Sequence, residues 1–276
     1  KVTFTADLSE DLRRRDFTVN GLFYNIKDFS VIDWVGGMSD IENKIIRSIG
    51  DPVIRFQEDP VRMMRAVKFA SRLNFRIERK TAAAMKKLHS CILTAAIPRV
   101  CEEVFRLFTF GHSAQAFRYM YEFGMLEDLL PDLSKFISSH GGRKCQVFRY
   151  LATLDEYENI MSSKGFEVSN GLRAAVLMTA MALEEKKDGA ARKIMQIMSA
   201  HLKIPKATYF TAVLLIESIK RFQSPPSKGK QRFIYNRHFL DALDYNRIIL
   251  RTNGKSEAIL NKWSDLYDAK GKTDEP

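Results

Sequence analysis

The sequence predicts a mainly α-helical protein with a short mixed α/β stretch at its start. Three observations predict it. Beyond Asp59, apolar residues recur at helical spacing almost to the end of the chain. The strand-like runs are confined to the first fifty residues, and isolated glycines and prolines cut the helical stretches short.

Taken in order, residues 11–25 read as a helix or helix-turn with a basic start. Residues 29–35 read as a strand, being rich in aromatic and β-branched side chains, and Gly36-Gly37 breaks it. Residues 39–42 are a connector, and 45–49 a second short strand closed by Gly50-Asp51-Pro52. One helix and two short strands cannot stand as a sheet domain, so residues 1–50 are expected to be the end of a mixed α/β domain. Pro60 suits the first turn of a helix whose apolar stripe is Val61, Met64, Val67, Phe69 and Leu73. Short helices over 81–88, 98–108, 113–123 and 126–129 follow, punctuated by Gly111, Gly124 and Pro131. Longer ones cover 144–161, 172–185, 190–201 and 208–221, with no fixed period that would make a solenoid. Residues 224–230 read as a linker, 238–250 as a last helix and 270–276 as a frayed polar tail. The expected division is therefore 1–50, 51–112, 113–223 and 224–276.

Composition narrows the function. Apolar residues make up 45% of 276, enough to bury a core, so disorder is not the default. A net charge of +11 favours a polyanionic partner, nucleic acid before an anionic membrane. The longest apolar runs, 174–183 and 210–216, are too short to span a bilayer. Cys91, Cys101 and Cys145 are odd in number and form no C-x-x-C pair, which fits buried thiols in a reducing cytoplasm. The five histidines lack metal-ligand spacing.

Two segments carry chemistry. In the helix near Asp59, residues three apart lie about 60° short of a full turn, so Asp59, Arg62 and Arg65 share one side with Lys68 further round. A carboxylate beside a guanidinium can read adenine, accepting from its N6 amino group and donating to N1. The same residues would also suit a solvated face with an Asp59–Arg62 pair. Earlier, Arg14 and Arg15 suit phosphate, Asp16 suits a ribose hydroxyl, and Asn20, four residues on, can hold that carboxylate or the sugar.

These segments, residues 11–20, 33–41 and 58–69, resemble in order and spacing the bacterial class II nucleotidyltransferases. That family includes the CCA-adding enzymes for transfer RNA and the bacterial poly(A) polymerases. The likeness covers the first half of the chain well and the rest loosely. It implies a C-terminal remnant of an α/β nucleotidyltransferase head, followed by helical neck, body and tail regions. It implies that Arg15 and Asp16 contact phosphate and sugar, that Asp59 and Arg62 face the base, and that Arg65 and Lys68 extend the site. Lys68 replaces the family's usual arginine, keeping charge but losing a two-pronged contact. Gly21 replaces a small residue such as alanine or serine. Ile97 to Glu103 resembles the neck segment in which a glutamate, here Glu102 or Glu103, braces the base-reading helix. The family's Asp-x-Asp pair, which holds Mg2+, has no counterpart before Asp11. The chain is accordingly expected to be a fragment, inactive alone, with its metal ligands upstream.

Residues 232–245 resemble the tail of bacterial poly(A) polymerases. Lys228, Lys230, Arg232 and Arg237, with Phe233, Tyr235 and Phe239 among them, suit single-stranded RNA, although the aromatics would equally pack the last helix. The function expected is template-independent addition of AMP from ATP to RNA 3′ ends, by a cytoplasmic monomer with no membrane partner. CCA addition and a non-catalytic helical RNA-binding module are the alternatives.

Overall fold

The structure is a computed structural model that describes residues 8–185, 189–227 and 231–271, with the main chain alone at 8, 9, 13, 270 and 271. The chain divides into two compact units, Lys1–Leu107 with Gln115–Leu129 and Phe108–Ala114 with Leu130–Pro276.

The first unit begins with α1 (Leu8–Arg14), a 3-10 turn (Thr18–Asn20), β1 (Leu22–Tyr24) and β2 (Val31–Asp33). β1 and β2 pair antiparallel, Leu22 opposite Asp33 and Tyr24 opposite Val31. The helix or helix-turn expected over 11–25 thus ends at Arg14 and gives way to a 3-10 turn and a strand. Phe17, fully buried, bridges to Ser48, and the Thr18 N–H donates to Arg47 O at 3.0 Å, so this stretch is pulled into extended pairing that local periodicity does not encode. The expected connector at 39–42 is instead a helix, α2 (Gly37–Glu42). Asp33 starts it by accepting from the N–H groups of Val35, Gly37 and Met38 at 2.9–3.0 Å. Gly37 is obligatory, because a Cβ there would lie 2.2 Å from Thr18 O. Gly21 is also closely packed, though less tightly, a Cβ there meeting the Val35 Cγ2 methyl at 2.6 Å and Thr18 O at 3.1 Å.

Next come β3 (Ile45–Ile46), α3 (Pro52–Glu58), α4 (Val61–Leu73), β4 (Arg76–Ile77) and α5 (Arg79–Leu88). β3 pairs parallel with β4, Ile45 opposite Arg76. Helix α3 was not expected from the sequence. Asp51 caps it by accepting from Val53 and Ile54 N–H at 2.8 and 3.3 Å, with Pro52 in its first turn. α4 buries Val61, Met63, Met64, Ala66, Val67 and Ala70, whereas Leu73 of the expected stripe is exposed. α6 (Ile97–Arg106), α7 (Ser113–Glu122, its first two residues in the second unit) and α8 (Met125–Leu129) complete the unit.

The second unit holds α9 (Pro131–Ser139), α10 (Gln146–Ser163), α11 (Asn170–Glu184), α12 (Ala190–Leu202), α13 (Lys206–Arg221), α14 (Phe239–Thr252) and α15 (Ala258–Gly271). α11 is its centre, buried from Gly171 to Ala180 except at Arg173, which reaches Glu158 of α10 at 2.7 and 3.1 Å. The ends of the unit are tied by aromatics: Phe222, Phe233, Phe239 and Trp263 are all buried, with neighbouring rings 5.3–6.4 Å apart. Among the described residues no helix is long and apolar enough to cross a membrane.

Candidate functional site

Asp16 stands where α1 has ended and the chain turns toward its pairing with Arg47 and Ile49; its carbonyl accepts the Ile49 N–H at 3.0 Å. With Phe17 buried and packed edge-on against Phe69 of α4 at 5.9 Å, the carboxylate is fixed beside that helix. Arg62 Nε donates to Asp16 Oδ1 at 2.8 Å and Arg65 Nη2 to the same oxygen at 3.1 Å. Arg65 Nε lies 2.9 Å from Oδ2 but without the angle of a hydrogen bond, so this contact is an ion pair only. The Asp16, Arg62 and Arg65 side chains are 16%, 12% and 24% exposed, so their attraction is weakly screened.

Asp59 lies outside the helix it was expected to open. It ends α3 in an extended conformation, its Oδ1 accepting from Val61 N–H at 3.2 Å across Pro60. From there Oδ2 reaches Arg65, 3.1 Å away, and Arg99 of α6, 2.7 Å away. Neither the shared helical side nor the Asp59–Arg62 pair inferred from spacing is formed. Arg62 instead binds Asp16, Arg55 O at 3.0 Å and Glu58 at 3.1 Å. Burial pushes the Asp59 carboxyl up, but the Arg99 hydrogen bond and the charges of Arg99, Arg65 and Arg62 outweigh it and hold its pKa below the ordinary value. Two carboxylates thus share Arg65, and the chain of ion pairs runs from half-exposed Arg99 at one end through half-exposed Glu58 to Arg55 at the other.

The remaining expected residues are placed differently. Arg15 donates to Asp11 at 2.9 and 3.0 Å and to the carbonyls of Asn20 and Leu22, with its guanidinium 4.4 Å over the Phe23 ring. Its donors hold the turn into β1. Asn20 is exposed and does not hold Asp16, because the break after α1 removes the shared helical face. Lys68 donates to Glu103 at 2.9 Å, tying α4 to α6; Glu103 is 4% exposed, whereas Glu102 is exposed and pairs with Arg106. Of the tail residues, Arg232 and Arg237 are exposed, and Lys228 and Lys230 lie outside the described residues, as do 272–276 of the expected tail. Phe233 and Phe239 are core, and Tyr235 alone of the three aromatics is exposed.

Arg99 is the residue that sequence reasoning missed. It lies 40 positions from Asp59, beyond any local pattern. The Arg99→Gln variant is expected to keep the fold and lose at most about 1 kcal/mol, because the pair is half-exposed. Its Asp59 pKa rises toward the ordinary value. A depressed carboxylate contributes stability above its unfolded pKa and loses it as pH falls through the folded one. The difference between parent and variant is therefore full at neutral pH and vanishes in acid. Denaturant titrations from neutral to strongly acid pH check this, and a difference persisting in acid would assign Arg99 to packing instead.

Among the described residues no group of three or more His, Cys, Asp or Glu side chains comes together as metal ligands. The two carboxylates gathered here, Asp16 and Asp59, are each taken up by arginines, so these residues do not fit the family's magnesium pair.

Residues 1–47 match the family model described as Poly A polymerase head domain, and 74–137 the one described as Probable RNA and SrmB-binding site of polymerase A. The Poly(A) polymerase I of Salmonella typhi is 39% identical over 136 residues, 49% of this chain and 29% of that protein. The CCA-adding enzyme of Levilactobacillus brevis is 47% identical over 156 residues, 56% of this chain and 37% of that protein. The chain thus matches little more than a third, at most, of these relatives' length. Among solved structures, the Bacillus stearothermophilus CCA-adding enzyme in complex with CTP superposes with a TM-score of 0.70 at 23% identity, over 97% of this chain and 61% of that one. At that identity the likeness is one of fold. The mainly helical fold with a head remnant agrees with that neighbour, and the three motifs of the first half lie within or between the matched regions. Over its matched regions the chain is similar to the class II nucleotidyltransferases, the family of the poly(A) polymerases and CCA-adding enzymes.

Proposed function

We propose that this chain supplies nucleotide selection and RNA holding to a protein that adds AMP from ATP to RNA 3′ ends without a template. The observation that carries the reading is the pair of part-buried carboxylates, Asp16 and Asp59, sharing Arg65 between Arg62 and Arg99. In it, Asp59 accepts from adenine N6 and Arg62 donates to N1, while Asp16 accepts from the ribose, with Arg15 and Asn20 at the sugar–phosphate end and Arg65 and Lys68 completing the site. Charge-assisted bonds of this kind are about twice as strong as neutral ones, which suits discrimination between bases. The tail cations Lys228, Lys230, Arg232 and Arg237 are assigned to the RNA backbone, and the metal-holding carboxylates to residues outside these 276. The chain alone is then inactive. Primer extension by the purified 276-residue chain would overturn that part.

CCA addition is the second reading, and the 47% identity to a CCA-adding enzyme favours it. The resemblance of residues 232–245 to poly(A) polymerase tails favours polyadenylation. Products formed by the full-length protein from ATP alone and from ATP with CTP separate the two, on a generic RNA and on a transfer RNA lacking its end. Long adenylate tails from ATP alone are expected, and a requirement for both nucleotides would reverse the choice.

A further inference from the structure

Helix α5 of the first unit carries a charge pattern that its own stability does not explain. It packs inward through Thr81, Ala84, Met85 and Leu88. Its outer side presents Arg79, Lys80, Lys86 and Lys87, all exposed, with exposed Ala83 between the two pairs. Helical residues seven apart lie within about 20° of one another and about 10 Å along the axis. Arg79 therefore stands in line with Lys86, and Lys80 with Lys87. Exposed Arg76 of β4 precedes them. Lys86 and Lys87 suit the last turn of a helix, where the backbone dipole is negative. Arg79 and Lys80 sit in the first turn, where that dipole opposes cations, and the turn holds no acid.

Among the described residues none of these five cationic side chains meets a carboxylate or makes a hydrogen bond. The contrast within the unit is plain, since Arg47, Arg55, Arg62, Arg65, Lys68 and Arg106 each hold a carboxylate. The acids around α5 are engaged elsewhere. Glu78 caps the helix, accepting from the Thr81 N–H and hydroxyl at 2.8 and 3.0 Å, and lies 3.7 Å from Arg47. On α3, which packs against α5, Asp51 caps its own helix and Glu58 pairs with Arg55 and Arg62. His89, directly after α5, holds Asp128 at 2.6 Å. No acid stands between Glu78 and Glu102 in the sequence.

A face of one sign draws in the opposite charge. The outer side of α5 has no aromatic ring on which a base could stack and no carboxylate or amide that could read a base edge. It offers cations alone, in two pairs along a line, with a short side chain between them that lets a strand come close. Such contacts hold a phosphate backbone and carry no sequence information. We infer that the outer side of α5, extended by Arg76, holds the sugar–phosphate backbone of the RNA substrate, whatever its bases and whether or not they are paired. The inference rests on the proposal that the chain holds RNA, and it adds a surface in the first unit to the tail cations named there.

The test is fluorescence anisotropy on the 276-residue chain with a labelled, fully paired RNA hairpin and a labelled adenylate oligomer, each over a salt series. The double variants Arg79→Gln/Lys80→Gln and Lys86→Gln/Lys87→Gln are each expected to weaken both RNAs roughly tenfold or more near physiological salt and to lower the salt slope by about two. A control that removes the same charge from exposed positions elsewhere, Lys27→Gln/Lys164→Gln, is expected to keep the parental slope. The melting temperature of Arg79→Gln/Lys80→Gln is expected to equal or exceed the parent's, because the helix dipole opposes these two side chains. A lowered melting temperature that accompanies the loss of binding would assign them to the helix and overturn the inference. Variants that bind like the parent overturn the α5 surface alone, as does an equal loss in the control, which would reduce the effect to net charge. Parent protein that binds polyglutamate but neither RNA would give the face to an acidic protein and overturn both the surface and the RNA-holding proposal, and parent protein that binds none of the three overturns both as well.

Discussion

The Asp16→Ala variant is expected to lose ATP binding and about 3 kcal/mol of stability in the first unit. Its carboxylate is the only anion in hydrogen-bond contact with both Arg62 and Arg65 among the described residues. Removing it strands two guanidiniums that are 12% and 24% exposed. Breaking a buried pair by deleting one partner costs about 3–5 kcal/mol, because the surviving charge stays desolvated. The lower end applies because Arg65 keeps Asp59, and Arg62 keeps Glu58 and the Arg55 carbonyl. Asp16→Asn retains an oxygen acceptor and is expected to lose less stability but as much nucleotide affinity. A chain of two units need not unfold in one step, so the measurement is hydrogen exchange at α4 amides beside calorimetric titration with ATP. Unchanged protection of α4 would show that the arginines are held without Asp16, and unchanged ATP affinity would remove it from the site.

How much of this was legible depends on where the information sits. The helices of the second unit follow from periodic apolar residues, and α10 to α14 lie within a few residues of their expected bounds. The short pieces are illegible in the sequence because their signals are not periodic. α3 spans seven residues and is announced only by Asp51-Pro52, a pair that equally reads as a turn. α2 depends on a side chain, Asp33, that the sequence places inside a strand. α15 has no local signal, and the buried Trp263 that fixes it finds its rings and the Ser224 carbonyl 24 or more residues away. The site shows the same division. Asp16, Asp59, Arg62 and Arg65 come together, but by partners other than those the spacing implied. Asp59 sits before the helix start, and the contacts that orient it come from Arg99 and from Arg65, which is itself held by the Asp16 carboxylate on a loop more than 40 residues earlier. Lys68 similarly finds its partner 35 residues away. Motifs identify the participants, and tertiary packing chooses the pairs.

The second large effect is expected at Asp155, which no local pattern singles out. It lies in α10, 8% exposed, and accepts from the Ser113 N–H and hydroxyl at 2.7 Å and from the Ala114 N–H at 2.9 Å. The first N–H groups of a helix have no partner within it, so α7 begins with donors that Asp155 satisfies from 41 and 42 positions away. In Asp155→Ala these buried donors lose their acceptor, at about 1–3 kcal/mol each, and a total near 3–4 kcal/mol is expected once partial rehydration is allowed for. Asp155→Asn keeps one acceptor but turns an amide N–H toward a main-chain N–H, and falls between. Burial raises the Asp155 pKa despite the opposing pull of the Ala114 and Ser113 donors. Above its unfolded pKa the folded state therefore binds the extra proton. Parental stability falls as pH rises from the ordinary carboxylate range through this raised value, a slope that Asp155→Asn lacks. Exchange at the Ser113 and Ala114 amides, with denaturation across that window, measures both. Equal losses in the alanine and asparagine variants, with the pH slope retained, would mean that Asp155 fills space at the start of α7 and caps nothing.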